Sequence, residues 1–177
     1  GTNIMQISNF VPIEPDKVET TCTEAFWSPD GIKISYVVKI LSGSFSGLDA
    51  HNSTGSYIVN TDGTNTQKSP YAGGGYFRWS PNGTKIAYVT NSTSFGLYAV
   101  SIEDLNTKET KSIDIPNSSS ATGNDGKLLI SWSKDSKKIA VESVSKDLFV
   151  IDTENLTVTN ITNTKAISER SPSWRPY

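Results

Sequence analysis

The segment FWSPDGIKISYVV, from Phe26 to Val38, decides the fold. It reads as a short strand ending in Trp27, a tight turn at Ser28-Pro29-Asp30-Gly31, and a second strand in which Ile34, Ser35, Tyr36 and Val37 follow Lys33. Pro29 presets φ for the first central turn position, Asp30 can bond its own backbone, and Gly31 accepts positive φ without a Cβ clash. The design recurs as FRWSPNGTKIAYVT from Phe77 to Thr90, as ISWSKDSKKIAVES from Ile130 to Ser143, and as a truncated SPSWRPY from Ser171 to Tyr177. All four tryptophans of the chain hold this one position, and the steps from Trp27 to Trp79, to Trp132 and to Trp174 are 52, 53 and 42 residues. The last step falls in the range of about 40 to 45 residues expected of a four-stranded propeller blade. In the third copy Lys134, Asp135 and Ser136 replace Pro, Asp and Gly, so that turn is expected to be the loosest.

A second pair of runs follows each hairpin. SYIVNTDGTN (56–65), LYAVSIEDLN (97–106) and LFVIDTENLTVTNIT (148–162) each read as a β-rich strand entering a polar turn, and in the third copy Leu156, Val158 and Ile161 mark the next strand. Four strands per repeat is the count a blade needs. The expected fold class is all-β, a β-propeller of four-stranded antiparallel blades, with about three complete blades and partial strands at both ends. The repeats span approximately 26–76, 77–127 and 128–170, with a truncated one at 171–177. IMQISNF, from Ile4 to Phe10, reads as the outer strand of a preceding blade. The composition agrees: 25 Ser, 19 Thr and 13 Asn in 177 residues favour strands and turns over helices. A chain of this length forms one domain or one array of small repeats.

Trp-Ser-Pro-Asp-Gly, then Lys-Ile-Ala-Tyr, then an apolar strand closed by Asn-Thr-Asp-Gly-Thr-Asn, resembles the WD-like repeat of TolB-type β-propellers, to which the propeller domains of prolyl oligopeptidase relatives are also similar. The resemblance covers most of Phe26 to Tyr177. It implies blades radiating from a channel, with partners held at the loop faces or the channel mouth. Three blades fall short of the four to eight that close a ring, so a longer chain, a second copy of this one, or an unusual closure by the terminal strands is expected to complete it.

Charge and composition narrow the function. Sixteen basic against 18 acidic residues give a net charge of −2, which supplies no field for nucleic acid. No run approaches the roughly 18 to 20 apolar residues of a membrane span, so no membrane insertion is expected. Cys22 is alone, which rules out a disulfide within the chain and a thiolate zinc site. Gly1-Thr2-Asn3 lacks an initiator methionine, which suggests that a signal or anchor was removed or that the sequence starts inside a longer protein. Asn-x-Ser/Thr triplets at Asn52, Asn82, Asn91, Asn117, Asn155 and Asn160 are compatible with glycosylation, but a chain this rich in the three residues produces them by chance.

Catalytic constellations are sparse. His51 is the sole imidazole and sits in a polar insertion, where a surface loop residue is the plain reading. Gly43-Ser-Phe-Ser-Gly47 approaches a nucleophile elbow but carries Phe45 at the nucleophile's place. Glu14, Asp16, Glu19 and Glu24 are unevenly spaced and read as a solvated connection rather than a calcium loop. Asp62, Asp125 and Asp152 are explained by local backbone bonding in turns. Gly73, Gly74 and Gly75 precede a strand rather than the helix of a phosphate cradle. Tyr57, Tyr71, Phe95 and Tyr98 could form a platform, but most aromatics, with Trp27, Trp79, Trp132, Tyr36 and Tyr88 foremost, are expected as wedges between blades. The non-repeating stretches Leu41–Gly55 and Pro116–Gly126 are the expected sites of any binding.

The expected role is a non-enzymatic module for protein interaction or surface scaffolding, extracytoplasmic (periplasmic or cell surface), with no catalytic, metal or cofactor-binding residues and no cofactor. Its expected partners are proteins or a second copy of itself. A gating propeller of a peptidase and a glycan-binding propeller are the alternatives.

Overall fold

A computed structural model describes residues 19–42, 55–69, 77–92, 97–119, 129–143, 147–164 and 172–174. Every element among them is a strand. The chain divides into two compact units, Gly1–Gly74 and Gly75–Tyr177. The first holds one four-stranded sheet, in which β1 (Glu19–Trp27), β2 (Lys33–Ser42), β3 (Gly55–Asn60) and β4 (Gln67–Lys68) pair in chain order. The second holds two sheets of the same design. One is β5 (Arg78–Trp79), β6 (Lys85–Asn91), β7 (Leu97–Asp104) and β8 (Thr110–Ser119); the other is β9 (Ile130–Trp132), β10 (Lys138–Glu142), β11 (Leu148–Asp152) and β12 (Val158–Asn160). All pairings are antiparallel. The all-β class and the four-stranded blade read from the sequence are what the chain forms.

The first hairpin of each blade is built on one buried serine. Ser28, Ser80 and Ser133 donate through Oγ to the Asx side chain two residues on, Asp30, Asn82 or Asp135, at 2.5, 2.7 and 2.6 Å. The same oxygen accepts the backbone N–H of Lys33, Lys85 or Lys138 at 2.8 to 2.9 Å. Burial makes these bonds obligatory, since a dry hydroxyl or amide without a partner costs about 1–3 kcal/mol. The third turn is therefore as tight as the others, contrary to expectation. Ser136 adopts φ 61°, where Gly31 and Gly83 have 71° and 72°. Its hydroxyl accepts the Asn82 amide at 3.1 Å, a compensation that glycine could not supply. The second turn of each blade is tied to the first by a backbone bond of 2.9 Å: Thr61 N–H to the Ile32 carbonyl, Leu105 N–H to Thr84, and Thr153 N–H to Lys137.

Side chains alternate between faces with period two. In the second unit Ala87, Val89, Val100, Ile102, Ile113 and Ile115 of the β5–β8 sheet meet Ile130, Trp132, Ile139, Val141, Phe149 and Ile151 of the β9–β12 sheet in one apolar cluster. Full burial of one such aliphatic side chain contributes about 1.5–3 kcal/mol. In the first unit Ile34, Tyr36, Val38 and Val59 cluster with Tyr57, whose ring stacks on Tyr36 at 5.6 Å. Tyr36 and Tyr88 are buried, as expected of repeat aromatics. The tryptophans diverge: Trp132 is buried and Trp79 half-buried, but Trp27 is 64% exposed, so its expected role as a wedge is not met within the chain.

Two connections read as loops are strands instead. Glu19 and Glu24 lie in β1, with Glu24 at φ 57° inside an irregularity between Thr23 and Phe26 and its carboxylate 3.1 Å from Lys39 Nζ. Pro116 to Ser119 extend β8, an edge strand where proline removes no ladder bond. Ile4–Phe10 lies outside the described residues.

Removing the seryl oxygen should be costly where the turn looks weakest in sequence. Ser133→Ala strands the Lys138 amide and frees Asp135, and urea unfolding should report a loss of about 1–3 kcal/mol with an unchanged m-value.

Candidate functional site

The second unit brings chemistry-bearing residues together along the seam between its two sheets. Trp132 Nε1–H crosses the seam and donates to the Arg78 carbonyl at 3.1 Å. Trp174 repeats the move one blade on, donating from Nε1 to the Ser131 carbonyl at 2.9 Å. In both cases the acceptor is the residue just before the preceding tryptophan. The register places each of these carbonyls in a hydrogen-bonded pair of the ladder, Arg78 with Ala87 and Ser131 with Ala140, so the indole N–H, which is a donor only, meets a second lone pair. At the turn end of the seam the Asn82 amide meets Ser136 Oγ.

The same end of the seam opens into a hollow of about 120 Å³ lined by Lys85, Ile102, Asp104, Thr107, Glu109, Lys111 and Thr153. Its two ammonium groups and two carboxylates balance, and an apolar floor comes from Ile102. Asp104 is committed to the β7–β8 turn. It accepts the Thr107 and Asn106 amides at 3.1 and 2.9 Å, and these bonds hold its carboxyl below the ordinary range. A wider groove beside Trp174 is lined by Ser133, Lys134, Asp135 and Lys138.

The remaining acids serve turns in the same way. Asp30 is lowered chiefly by Ser28, Asp62 by Thr64, Asp135 by Ser133, and Asp152 by the Asn155 and Glu154 amides. The expectation for Asp62 and Asp152 is met: Asp62 Oδ1 accepts both the amide and the hydroxyl of Thr64 at 2.9 and 2.6 Å. The Asn-x-Thr triplets share this geometry. Thr84 Oγ1 donates to Asn82 Oδ1 at 3.0 Å and Thr157 Oγ1 to Asn155 Oδ1 at 2.7 Å. Turn construction thus accounts for Asn82 and Asn155 without any glycan.

Among the described residues no three His, Cys, Asp or Glu side chains group as metal ligands. Cys22 is exposed. Tyr57 packs against the first unit's cluster and Tyr98 against the seam cluster, both half-buried. His51, Gly43–Gly47, Glu14, Asp16, Tyr71, Gly73–Gly75, Phe95 and Asp125 lie outside the described residues, as do 43–54 and 120–126 of the two non-repeating stretches.

One group escaped the sequence reading. Glu103, 5% exposed, stands in β7 opposite Ile86. The matching positions in the sibling blades are Val59, opposite Ile34, and Ile151, opposite Ile139. Its Oε2 is buried without a hydrogen-bond partner, and burial pushes the carboxyl above its ordinary range, with Lys108 pulling weakly the other way. Beside it Thr90, Ser101 and Ser112 link hydroxyl to hydroxyl across three strands at 3.1 and 2.7 Å. Superposing the repeats in sequence would have flagged Glu103 as the one acid in an aliphatic column.

Comparison with known proteins addresses the fold. No family profile matches the chain, and no curated protein matches it. Solved structures do. TolB from Acinetobacter baumannii matches at 22% identity and TM-score 0.56, over 80% of this chain and 32% of that one. The β-propeller domain of the Trilobed protease from Pyrococcus furiosus matches at 18% identity and TM-score 0.56, over 80% and 41%. A putative TolB from Agrobacterium tumefaciens matches at 15% identity and TM-score 0.51, over 81% and 62%. The chain thus spans about a third to three-fifths of the length of these propellers. Its sheets are β-propeller blades.

Two measurements check the seam. Trp132→Phe keeps the aromatic bulk and deletes the N–H donor, and should cost about 1 kcal/mol in urea unfolding. For Glu103 the raised folded value means that the native chain binds the proton more tightly than the unfolded chain, so stability falls as pH rises through that range. Glu103→Gln should raise the thermal midpoint at pH 7, and the difference from wild type should close below about pH 4, where the carboxyl is protonated in both states.

Proposed function

We propose that the chain is a non-enzymatic propeller module that works by protein contact, as an interaction or scaffolding unit at a cell surface or envelope. The observation that carries this reading is how the acidic side chains are used. Asp30, Asp62, Asp104, Asp135 and Asp152 each accept backbone amides or neighbouring hydroxyls inside their own turns, which holds every one of these carboxyls low. A carboxylate held this way is a poor proton carrier near neutral pH. What the blades offer outward is turn surface: the small, charge-balanced hollow at Lys85, Asp104, Glu109 and Lys111, and the groove beside Trp174. The hollow, at about 120 Å³, is smaller than the roughly 300 Å³ of a small-molecule pocket, and the groove, although about 570 Å³, is wide open to solvent, so both suit polar contact with a folded partner better than enclosure of a small molecule. The likeness to TolB supports an extracytoplasmic location.

A second reading has specific support. Acylaminoacyl peptidase and a prolyl endopeptidase contain similar blades, at TM-scores 0.53 and 0.54, and this chain spans 24% and 22% of those molecules. In that reading the chain is the gating propeller of a peptidase whose catalytic unit lies elsewhere. An oligogalacturonate lyase crystallised with manganese is a further structural neighbour, at TM-score 0.55 and 18% identity.

The purified chain should turn over none of three substrate classes: acylaminoacyl peptides, prolyl peptides, and oligogalacturonate with manganese added. Product formation above the buffer rate, abolished by heating the protein, would overturn the non-enzymatic reading. Reproducible binding on a glycan array would move the assignment to the glycan-binding alternative.

A further inference from the structure

Asn82-Gly83, in the first turn of the β5–β8 sheet, is the only Asn-Gly pair in the chain; the sibling turns carry Asp30-Gly31 and Asp135-Ser136. An Asn-Gly pair can lose ammonia without an enzyme. The backbone nitrogen of the glycine, which has no side chain to shield it, attacks Asn Cγ as its amide proton leaves. The Cγ–Nδ2 bond breaks, ammonia departs with that proton, and a five-membered imide remains. Water then opens the imide at either carbonyl. One opening gives an ordinary aspartyl residue, the other a β-linked residue that carries its former side-chain methylene in the main chain.

The structure leaves the electrophile of this reaction ready and its nucleophile shut. Asn82 is exposed, and its Oδ1 accepts three donors: Ser80 Oγ at 2.7 Å, Thr84 Oγ1 at 3.0 Å and the Thr84 amide at 3.2 Å. Donors so placed stabilise the negative charge that collects on this oxygen when Cγ is attacked. The Gly83 N–H, by contrast, donates to the Ser80 carbonyl at 2.8 Å. Attack requires that proton to be gone, and a proton held in a folded hydrogen bond is lost only when the turn opens. The turn is braced from the next sheet as well, since the Asn82 N–H donates to Ser136 Oγ at 3.1 Å.

We propose that Asn82-Gly83 is a site of spontaneous deamidation, kept closed by the folded turn and modified whenever the β5–β6 turn opens. The two products differ in what they leave behind. Asp30 and Asp135 already accept the serine hydroxyl and the amide two residues on, at Ile32 and Lys137, so the aspartyl product rebuilds the hub. The β-linked product adds one carbon to the main chain between the amide that reaches Ser136 Oγ and the amide that reaches the Ser80 carbonyl, and it cannot satisfy both. A transient opening is thereby converted into a permanent loosening of the seam.

The test follows the full chain at mildly alkaline pH by peptide mapping with mass spectrometry, in native buffer and in urea above the unfolding transition. The peptide holding Asn82 should gain the amide-to-acid mass difference roughly tenfold or more slowly in native buffer than in urea. Ser80→Ala should bring the native rate toward the urea rate while keeping the wild-type circular dichroism spectrum. Should that variant unfold, hydrogen exchange of the Gly83 amide in wild type gives a second readout: in low urea, exchange and deamidation should rise by the same factor. Asn82→Asp should unfold at the wild-type urea midpoint, and refolded β-linked chains at a lower one. Equal deamidation in native buffer and in urea, a native rate that does not follow Gly83 exchange, or an unfolded chain that gains no mass at position 82 would each overturn the proposal. Equal or reversed midpoints for the two products would overturn the loosening of the seam.

Discussion

The structure depends on an indole N–H finding a carbonyl one blade away. In the inner strand the carbonyl just before each tryptophan is paired in the ladder and keeps a second lone pair for a donor from the next blade. The repeat answers with a tryptophan at the end of that strand, long enough to span the seam and apolar enough to fill it. Trp132 meets Arg78 and Trp174 meets Ser131, so the same side chain both packs the blade and fixes its register against its neighbour. The aliphatic cluster supplies most of the free energy, but it is tolerant of sliding in a way that a directional bond is not.

That reach holds only if the strand ends where it does, which is the work of the serine after each tryptophan. Ser28, Ser80 and Ser133 draw the Asx side chain and the lysine amide onto one oxygen, and the turn that results places β2, β6 and β10 in identical register with their partners. The Ser136 hydroxyl on the Asn82 amide then ties adjacent turns directly. These bonds commit the polar groups of the turns to holding the blades.

Much of this was legible in the sequence because strands and turns leave local signals. The tryptophan period, the alternating Ile-Ala-Tyr-Val run and the Asp/Asn-Gly turns marked the three sheets and the buried Tyr36 and Tyr88. The serine hub was not legible, because serine is common throughout the chain and a hydroxyl's partners depend on burial. The third turn was misjudged for the same reason: Ser136 lacks glycine's freedom, but its hydroxyl gains a cross-blade bond invisible to local rules. Pro116 was placed in a non-repeating connection, whereas it lies in the edge strand β8. Glu24 was grouped with loop acids, whereas an irregularity in β1 brings it to Lys39. Glu103 needed the three copies aligned position by position, since nothing in its own neighbourhood distinguishes it from a surface glutamate. The exposed side of Trp27 had no sequence signal at all, because exposure there depends on what packs ahead of the sheet.

The most direct measurement is native-state hydrogen exchange of the Trp132 indole N–H, followed by NMR alongside the Asn82 amide. If the seam is held as described, both protons exchange only when the two sheets part, and they show the same opening free energy in increasing urea. An indole proton exchanging at the rate of free tryptophan while the β6 and β7 amides remain protected would contradict the account.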